Sequence, residues 1–390
     1  VTQEPPERYE LTWLGKRRSL EEAETAPRSA LRHVEGDGPH VLVRGDNLEA
    51  LKLLEVEHGG EVRLIYIDPP YNTGEAFTYR DMFQGHDRWL SMMAPRLILA
   101  RRMLRDDGII LVSIDEHEHR NLVILMCEIF GEECYLGDLI WKKKSGGASQ
   151  AFAFAVDHEY VVAFGRNPGA TMFDDRQANV STRYPHTDER GLYSLERLDK
   201  QNLGYHQSLD FPIEGTDGRV RTVHHKNPDR KQARWRWNQE TVNARYDELL
   251  FRGAFVYTKN HRKAFARPRS LLTDARYGRT RTGSRDLLDL FGTEVLDYPK
   301  PVLLLAHLVR TCSGPDDLIL DFFAGSGSTA HGVLAVNIED GGRRRSISVQ
   351  TPVAVEPRSK AKKAGFDTIA DVCAERIRRA GGDLTILDVV

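Results

Sequence analysis

The sequence predicts an α/β protein built on a doubly wound, mainly parallel sheet. Strand-like and helix-like segments alternate over the first 165 residues and again from Tyr298 onward. "VRLIYI" (62–67) and "LILDFF" (318–323) are largely continuous apolar runs, the signature of strands buried on both faces of a parallel sheet. Each run ends in an unusual loop, "DPPYNTG" (68–74) in one case and "AGSG" (324–327) in the other.

In order along the chain, residues 1–38 read as polar and loop-like, with a short helix expected near 20–24. "HVLVRGD" is a strand ending at Gly45-Asp46, and "NLEALKLLEVE" is a helix with Leu48, Leu51, Leu53 and Leu54 apolar. After "VRLIYI" comes a long amphipathic helix, "DRWLSMMAPRLILARRML", with a bend expected near Pro95. "DGIILVSID" is a further buried strand, and "EHRNLVILMCEIFG" is a helix closed by Gly131. "YLGDLIWKK" and "HEYVVAFGR" read as strands, joined by a segment that begins as a mobile entry loop, "KKKSGGASQ" (142–150). The alternation then breaks. From Tyr298 it resumes with "PVLLLAHLVRTC" (helix), "DLILDFF" (strand), "STAHGVLAVN" (helix), "RSISVQ" (strand) and the amphipathic "TIADVCAERIRRAG". This divides the chain into an extension (1–38), a first α/β half (39–165), a separate module (166–290) and a second α/β half (291–390).

Composition narrows the class. The 390 residues suffice for a large core, and no apolar run approaches the ~20 residues of a membrane span. The polar, acidic start "VTQEPPERYE" does not read as a secretory signal. Cys127, Cys134, Cys312 and Cys373 are scattered, which fits a reducing cytoplasm and no structural zinc. Net charge is −2, yet Thr216 to Arg285 carries 18 Lys/Arg against 6 Asp/Glu, interleaved with Trp235, Trp237, Tyr246, Phe251, Phe255, Tyr257, Phe265 and Tyr277. That local excess of positive charge predicts a polyanionic partner, with a solvated, salt-bridged surface as the alternative.

The two loops carry the chemistry. Asp68, at the carboxyl end of a parallel strand, points into the crevice where such sheets bind ligands. Its carboxylate and the rigidly held Pro69 carbonyl offer two acceptors, Pro70 stiffens the loop, and Tyr71 offers a flat face on which a base can stack. Two acceptors and a platform describe a pocket for a planar exocyclic amine; the competing reading is a rigid turn capped by Asp. In "FAGSG" (323–327), Gly325 and Gly327 allow close backbone approach, and the helix that follows offers free N–H groups to a nucleotide cofactor or its polar tail. His117, Glu118 and His119 suggest a metal only weakly and read as a solvated helix start, while His307 and His331 read as structural. "RWRW" (Arg234, Trp235, Arg236, Trp237) either contacts DNA or anchors the core of its module.

Together the motifs resemble the DNA amino-methyltransferases of the β class, in which the DPPY loop precedes the FxGxG loop. "RGDNLEALKLL", "LIYIDPPYNTG", "DRWLSMMAPRLILARRMLRDDGIILVSIDEHE", "DYPKP" and "DFFAGSGSTAHGVLAVNIEDGG" are most similar to modification (Mod) subunits of type III restriction–modification systems. The resemblance covers about 40–140 and 283–380, together with "YELTWLGK" near the start. It implies the S-adenosylmethionine-dependent methyltransferase fold with permuted motif order and an inserted target-recognition module at 166–290. It also implies methyl transfer to N6 of a flipped-out adenine in double-stranded DNA, with Asp68, Pro69, Pro70 and Tyr71 as the catalytic tetrapeptide. S-Adenosylmethionine would be held by Phe323, Ala324, Gly325, Ser326 and Gly327, with Asp321, Lys300, Pro301, Asp46 and Asp68 beside them. Lys142 and Lys143 join Arg234 to Trp237 as DNA-contacting candidates. Ser328 stands where the family usually has Thr, and "VQTPVAVE" departs from the family's "VQLPE", leaving Glu356 and Glu339 as ribose-binding candidates.

Three other readings compete with adenine methylation. They are N4-cytosine methylation (the family then more often shows SPPY), an NAD-dependent oxidoreductase, and a non-catalytic DNA-recognition subunit. The oxidoreductase explains "AGSG" but gives DPPY no purpose. No GxxxxGK[ST] phosphate loop appears, so cleavage would require a separate restriction subunit; that partner and a homodimer both remain open.

Overall fold

The computed structural model describes residues 10–74, 83, 85–144, 146, 154–169, 183–227, 229–262 and 267–390. Two compact units emerge: Val1–Asp174 with Pro268–Val390, and Asp175–Arg267.

The first unit is a ten-stranded sheet. Its strands are β1 (Leu31–Glu35), β2 (His40–Arg44), β3 (Val62–Ile67), β4 (Leu104–Ile114), β5 (Tyr135–Lys142), β6 (His158–Gly165), β7 (Leu271–Leu272), β8 (Leu318–Asp321), β9 (Arg345–Gln350) and β10 (Leu384–Val389). Their order is β1-β10-β2-β9-β8-β3-β4-β6-β5-β7. From β10 to β4 every neighbouring pair is parallel; β6 runs antiparallel to both β4 and β5. The helices around it are α1 (Lys16–Glu22), α2 (Asn47–His58), α3 (His86–Met103), α4 (His119–Phe130), α5 (Thr280–Phe291), α6 (Val302–Cys312), α7 (Ser328–Asp340) and α8 (Ile369–Arg379).

Both sheet faces are covered, as the continuous apolar runs require. All six residues of β3 are buried. Ile65 and Ile67 join a core with Trp89, Met93 and Leu97 of α3, whereas Leu64 and Tyr66 join one with Leu304, Leu305 and Val333 of α6 and α7. Fully burying one such side chain contributes about 1.5–3 kcal/mol, so β3 is firmly anchored to carry a site at its end. Between β3 and β8 the strand order switches direction in sequence, and the loops after both strands open at that switch point.

Some edges differ from expectation. The first helix starts earlier, at Lys16, because Gly15 at φ 92° turns the chain into it. β1 and β10 form an outer pair that the sequence did not declare: "LRHVE" has one half-buried and four exposed residues, so no alternation marks it. Residues 268–291 return to the first unit, through β7 beside β5 and through α5.

The second unit holds a four-stranded antiparallel sheet ordered Leu249–Arg252, Phe255–His261, Gly191–Arg197, His186–Asp188. Its core gathers Leu198, Ile213, Val223, Trp235, Val242, Leu249 and Val256. No helix among the described residues is long and apolar enough to cross a membrane.

Candidate active site

Asp68 leaves the end of β3 half-buried, and its Oδ1 is held from two sides. Tyr71 donates its hydroxyl to Oδ1 at 2.6 Å, and the Lys300 ammonium donates to the same oxygen at 2.9 Å. Lys300 also donates to Tyr71 Oη at 2.8 Å and lies 3.1 Å from Oε2 of Glu159 on β6. Tyr71 lies 3.2 Å from that same Glu159 oxygen, and Lys143 pairs with Glu159 Oε1 at 3.3 Å. Two cations and two carboxylates thus share one cluster, with Lys300 and Glu159 each only 8% exposed.

The electrostatics follow from that packing. Burial disfavours the Lys300 ammonium, but Asp68 and Glu159 outweigh it and hold the group well above the usual lysine range. Burial raises Glu159, yet Lys300 and Lys143 more than reverse this and leave it below the usual carboxylate range. Burial, reinforced by Asp68 and Glu159, pushes the Tyr71 phenol well up. At neutral pH the tyrosine is therefore a donor, and Lys300 and Glu159 are ionised.

The rest of the DPPY loop is fixed by residues the sequence reading missed. Trp89, fully buried on α3, donates its indole N–H to the Pro70 carbonyl at 2.6 Å. Among the described residues none donates to the Pro69 carbonyl. Asn72 sits at φ 60°, and it and Tyr298 (φ 52°) are the non-glycine residues with positive φ among those described. One lies in the DPPY loop and the other just before Lys300, and stored backbone strain of this kind collects at working sites. Asn72 is held by Glu118, whose Oε1 accepts from Asn72 Nδ2 at 2.7 Å and lies 2.7 Å from His86 Nδ1. Oε2 accepts from Asn121 Nδ2, also at 2.7 Å. Glu118 is 0% exposed, so the expected solvated helix start is corrected at this residue. His117 pairs with Asp115 and His119 with Asp138, so the three residues share no ligand set.

On β8, Asp321 is buried; its Oδ2 accepts from Thr329 Oγ1 at 2.5 Å and its Oδ1 from the Phe323 N–H at 3.0 Å. Phe323 is half-buried and Ala324 buried. Gly325 (φ 53°) and Gly327 (φ 79°) both use left-handed backbone. A Cβ placed on Gly325 would meet nothing closer than the Phe323 carbonyl at 3.9 Å, so this side of the turn is open to a ligand. The Gly325 N–H donates to Gln350 Oε1 at 2.8 Å. From beneath, the fully buried Arg376 donates to Ser326 Oγ at 2.8 Å and Ser328 Oγ at 2.7 Å. An open glycine turn at a helix N-terminus, with N–H groups and a dipole that favour negative charge, fits the polar, carboxylate-bearing end of a nucleotide-like cofactor.

The remaining candidates scatter. Asp46 caps α2 through the Leu48 and Glu49 N–H groups and lies 3.4 Å from Arg96. Pro301 is buried and caps α6. Glu339 pairs with Arg310 near the far end of α7, about 16 Å from its start at 1.5 Å per residue, which removes it from the ribose candidates. Glu356 is exposed. Lys142 ends β5, and Lys143 is engaged with Glu159 in the cluster rather than standing free for DNA.

In the second unit, Trp235 is 1% exposed and donates its indole N–H to the Phe211 carbonyl, so it is a core anchor and not a stacking residue. Arg236 bonds Glu196 and Thr258. Arg234 is half-buried, as is Trp237, whose ring lies under the Arg245 guanidinium. The unit carries 18 Lys/Arg against 12 Asp/Glu, because acids between 188 and 214 fold in beside the basic stretch.

A doubly wound sheet that opens an acidic-loop site and a glycine-turn site side by side at its switch point is the architecture of an enzyme that uses a nucleotide-like cofactor. The chain belongs to the DNA methylase family, whose profile matches residues 62–348. It is 32% identical to the type II methyltransferase M.KpnI of Klebsiella pneumoniae over 85% of each chain. It is 30% identical to the Mod subunit of the type III restriction–modification enzyme StyLTI of Salmonella typhimurium over 88% of this chain and 57% of that subunit. Among solved structures, the cytosine-N4-specific PvuII DNA methyltransferase aligns at a TM-score of 0.46 and 13% identity, covering 91% of this chain and 98% of that one.

One pH effect arises here. Burial, with Asp68 adding to it and the Thr329 and Phe323 hydrogen bonds opposing, pushes the Asp321 carboxyl up to about 7. A carboxyl with a raised pKa takes up a proton on folding. The resulting stabilisation is complete below about pH 4 and is lost as pH rises through about 7. Between about pH 5 and 8 the melting temperature of the wild type is expected to fall relative to that of Asp321→Asn, which mimics the protonated form. Parallel melting curves for the two proteins across that range would refute the assignment.

Proposed function

We propose that the cluster around Asp68 binds the exocyclic amine of a flipped-out adenine and directs methyl transfer to its N6. The observation that carries this reading is the fixed Asp68 carboxylate. Its Oδ1 is held by Tyr71 and Lys300, and among the described residues nothing donates to its Oδ2. The free oxygen and the Pro69 carbonyl are two acceptors for the two N–H bonds of an amino group. An exocyclic amine is conjugated with its ring and a poor nucleophile. Two acceptors draw its hydrogens out of the ring plane and turn the lone pair toward the methyl donor. Positioning of this kind supplies roughly 7–11 kcal/mol of a bimolecular barrier.

The donor is S-adenosylmethionine, which when bound supplies an electrophilic methyl on a cationic sulfur. Phe323 to Gly327, Asp321, Pro301 and Asp46 are the residues assigned to hold it. Asp68 and the Pro69 carbonyl would orient the nitrogen toward the donor's methyl, and Asp68 would take the proton that the methylated nitrogen sheds.

Extruding the base costs a few kcal/mol. The lysines and arginines of the second unit, Arg234 among them, together with Lys142, supply phosphate contacts that offset it. The cytoplasm is the assigned compartment, and a second copy of the chain or a separate restriction subunit is the assigned protein partner. The test is methylation of mixed-sequence duplex DNA with labelled donor, followed by nucleoside analysis. Label is expected on adenine N6, and DNA affinity is expected to weaken steeply between about 50 and 200 mM salt. Label on cytosine N4 overturns the base assignment, and salt-independent binding overturns the phosphate contacts.

A further inference from the structure

Glu159 has no role in the chemistry described so far, yet it is among the best-buried acids of the site. It reaches the cluster from β6, whose neighbours are β4 and β5. One of its oxygens faces Lys300 and Tyr71, and the other faces Lys143. A loop-locking function alone would not require a charge there, since a neutral amide could also bond Tyr71 and Lys143.

The methyl donor explains the charge. In-line transfer needs the target nitrogen about 3–3.5 Å from the methyl and about 3 Å from Asp68. The sulfonium therefore has to stand within several ångströms of Asp68, and so within the field of Lys300, which is 2.9 Å from that carboxylate. A cationic cofactor beside a buried ammonium is unfavourable unless the ammonium is already neutralised. Asp68 cannot do this alone, because it must also serve the target amine and Lys143 adds a second positive charge nearby.

We propose that Glu159 is the counter-ion of Lys300 and Lys143 that makes the site electrically acceptable to a sulfonium, a positioning residue that selects the charged methyl donor over its neutral, demethylated product. The inference rests on the placement of the target amine at Asp68.

The test compares S-adenosylmethionine, which is cationic at sulfur, with S-adenosylhomocysteine, which is neutral there but otherwise the same ligand. Affinities for both are measured by calorimetry with the full chain. Glu159→Gln leaves a net positive cluster, and its affinity for the cationic ligand is expected to fall about tenfold or more relative to the neutral one. Glu159→Asp, which keeps the charge, is expected to restore most of the ratio. Lys300→Met removes a cation and is expected to move the ratio several-fold in the opposite direction, which preserves a test should Glu159→Gln fail to fold. Equal losses for both ligands in Glu159→Gln, or a Lys300→Met ratio that stays put or falls, overturn the proposal. A wild-type protein that binds neither ligand instead overturns the cofactor assignment, and an Asp68→Ala protein with unimpaired transfer overturns the placement of the amine.

Discussion

Asp68→Ala is expected to lower methyl transfer by about 10³-fold or more, measured with both the methyl donor and DNA saturating. The magnitude follows from what the carboxylate does. In the proposed mechanism it is one of two acceptors that orient a weak nucleophile, and removal of a single preorganised hydrogen-bonding group at a reacting centre costs about 10²–10³ in rate. The orientation imposed jointly with the Pro69 carbonyl is lost as well. The fold should tolerate the change, because Lys300 retains Glu159 at 3.1 Å and Tyr71 retains the same carboxylate at 3.2 Å. Asp68→Asn is the sharper variant. With Lys300 donating from 2.9 Å, the amide must turn its oxygen toward the ammonium, so its NH₂ faces the target amine. Donor then meets donor, and transfer is expected to fall nearly as far as in the alanine variant. Single-turnover rates with pre-bound DNA separate this from a binding defect, and a single-turnover rate within tenfold of wild type in either variant would remove Asp68 from the chemistry.

That Asp68 could be singled out from sequence, while Glu159 and Glu118 could not, has a physical cause. "VRLIYIDPPY" is a local signal: a doubly buried strand announces itself as an apolar run, and whatever follows it stands at the carboxyl edge of the sheet. The same holds for "LILDFFAGSG", where the glycine turn and the helix behind it are contiguous in sequence. Glu159 acquires its meaning only when β6 inserts beside β4 and brings it to Lys300, a residue 141 positions later, and no periodicity encodes that meeting. Glu118 was hidden by its company: amid "DEHEH" it looks like one more solvated charge, and only the fold shows Asn72 and His86 closing over it. The basic stretch overstates the local charge excess. A window starting at Thr216 isolates the cations, whereas the folded unit adds Asp188, Glu196 and Asp210, each of which pairs with a cation of that window.

The buried Glu118 leads to the second large effect. In Glu118→Ala, Asn72, His86 and Asn121 lose their shared carboxylate, which joins the exit of the DPPY loop to the starts of α3 and α4. Hydrogen bonds to a charged group contribute about 1.5–3 kcal/mol each, so a total loss of roughly 2–4 kcal/mol is expected after partial rewetting. The functional loss should be larger than that destabilisation implies. Asn72 is held at φ 60°, left-handed backbone that asparagine tolerates better than most non-glycine residues, and Glu118 fixes its side chain there. Without Glu118 that hold goes and the loop relaxes. Misplacement of a reacting group by about 1 Å costs on the order of 10²-fold in rate. The rate is therefore expected to fall about 100-fold at a temperature where circular dichroism shows the variant fully folded, with cofactor affinity little changed. Asn72→Gly supplies the complementary arm, because glycine accepts positive φ without enforcement. It should cost stability through the lost amide but lose less activity than Glu118→Ala. If the two variants were equally slow, the strained backbone would not be what Glu118 maintains, and "NTG" would serve the site through the asparagine side chain alone.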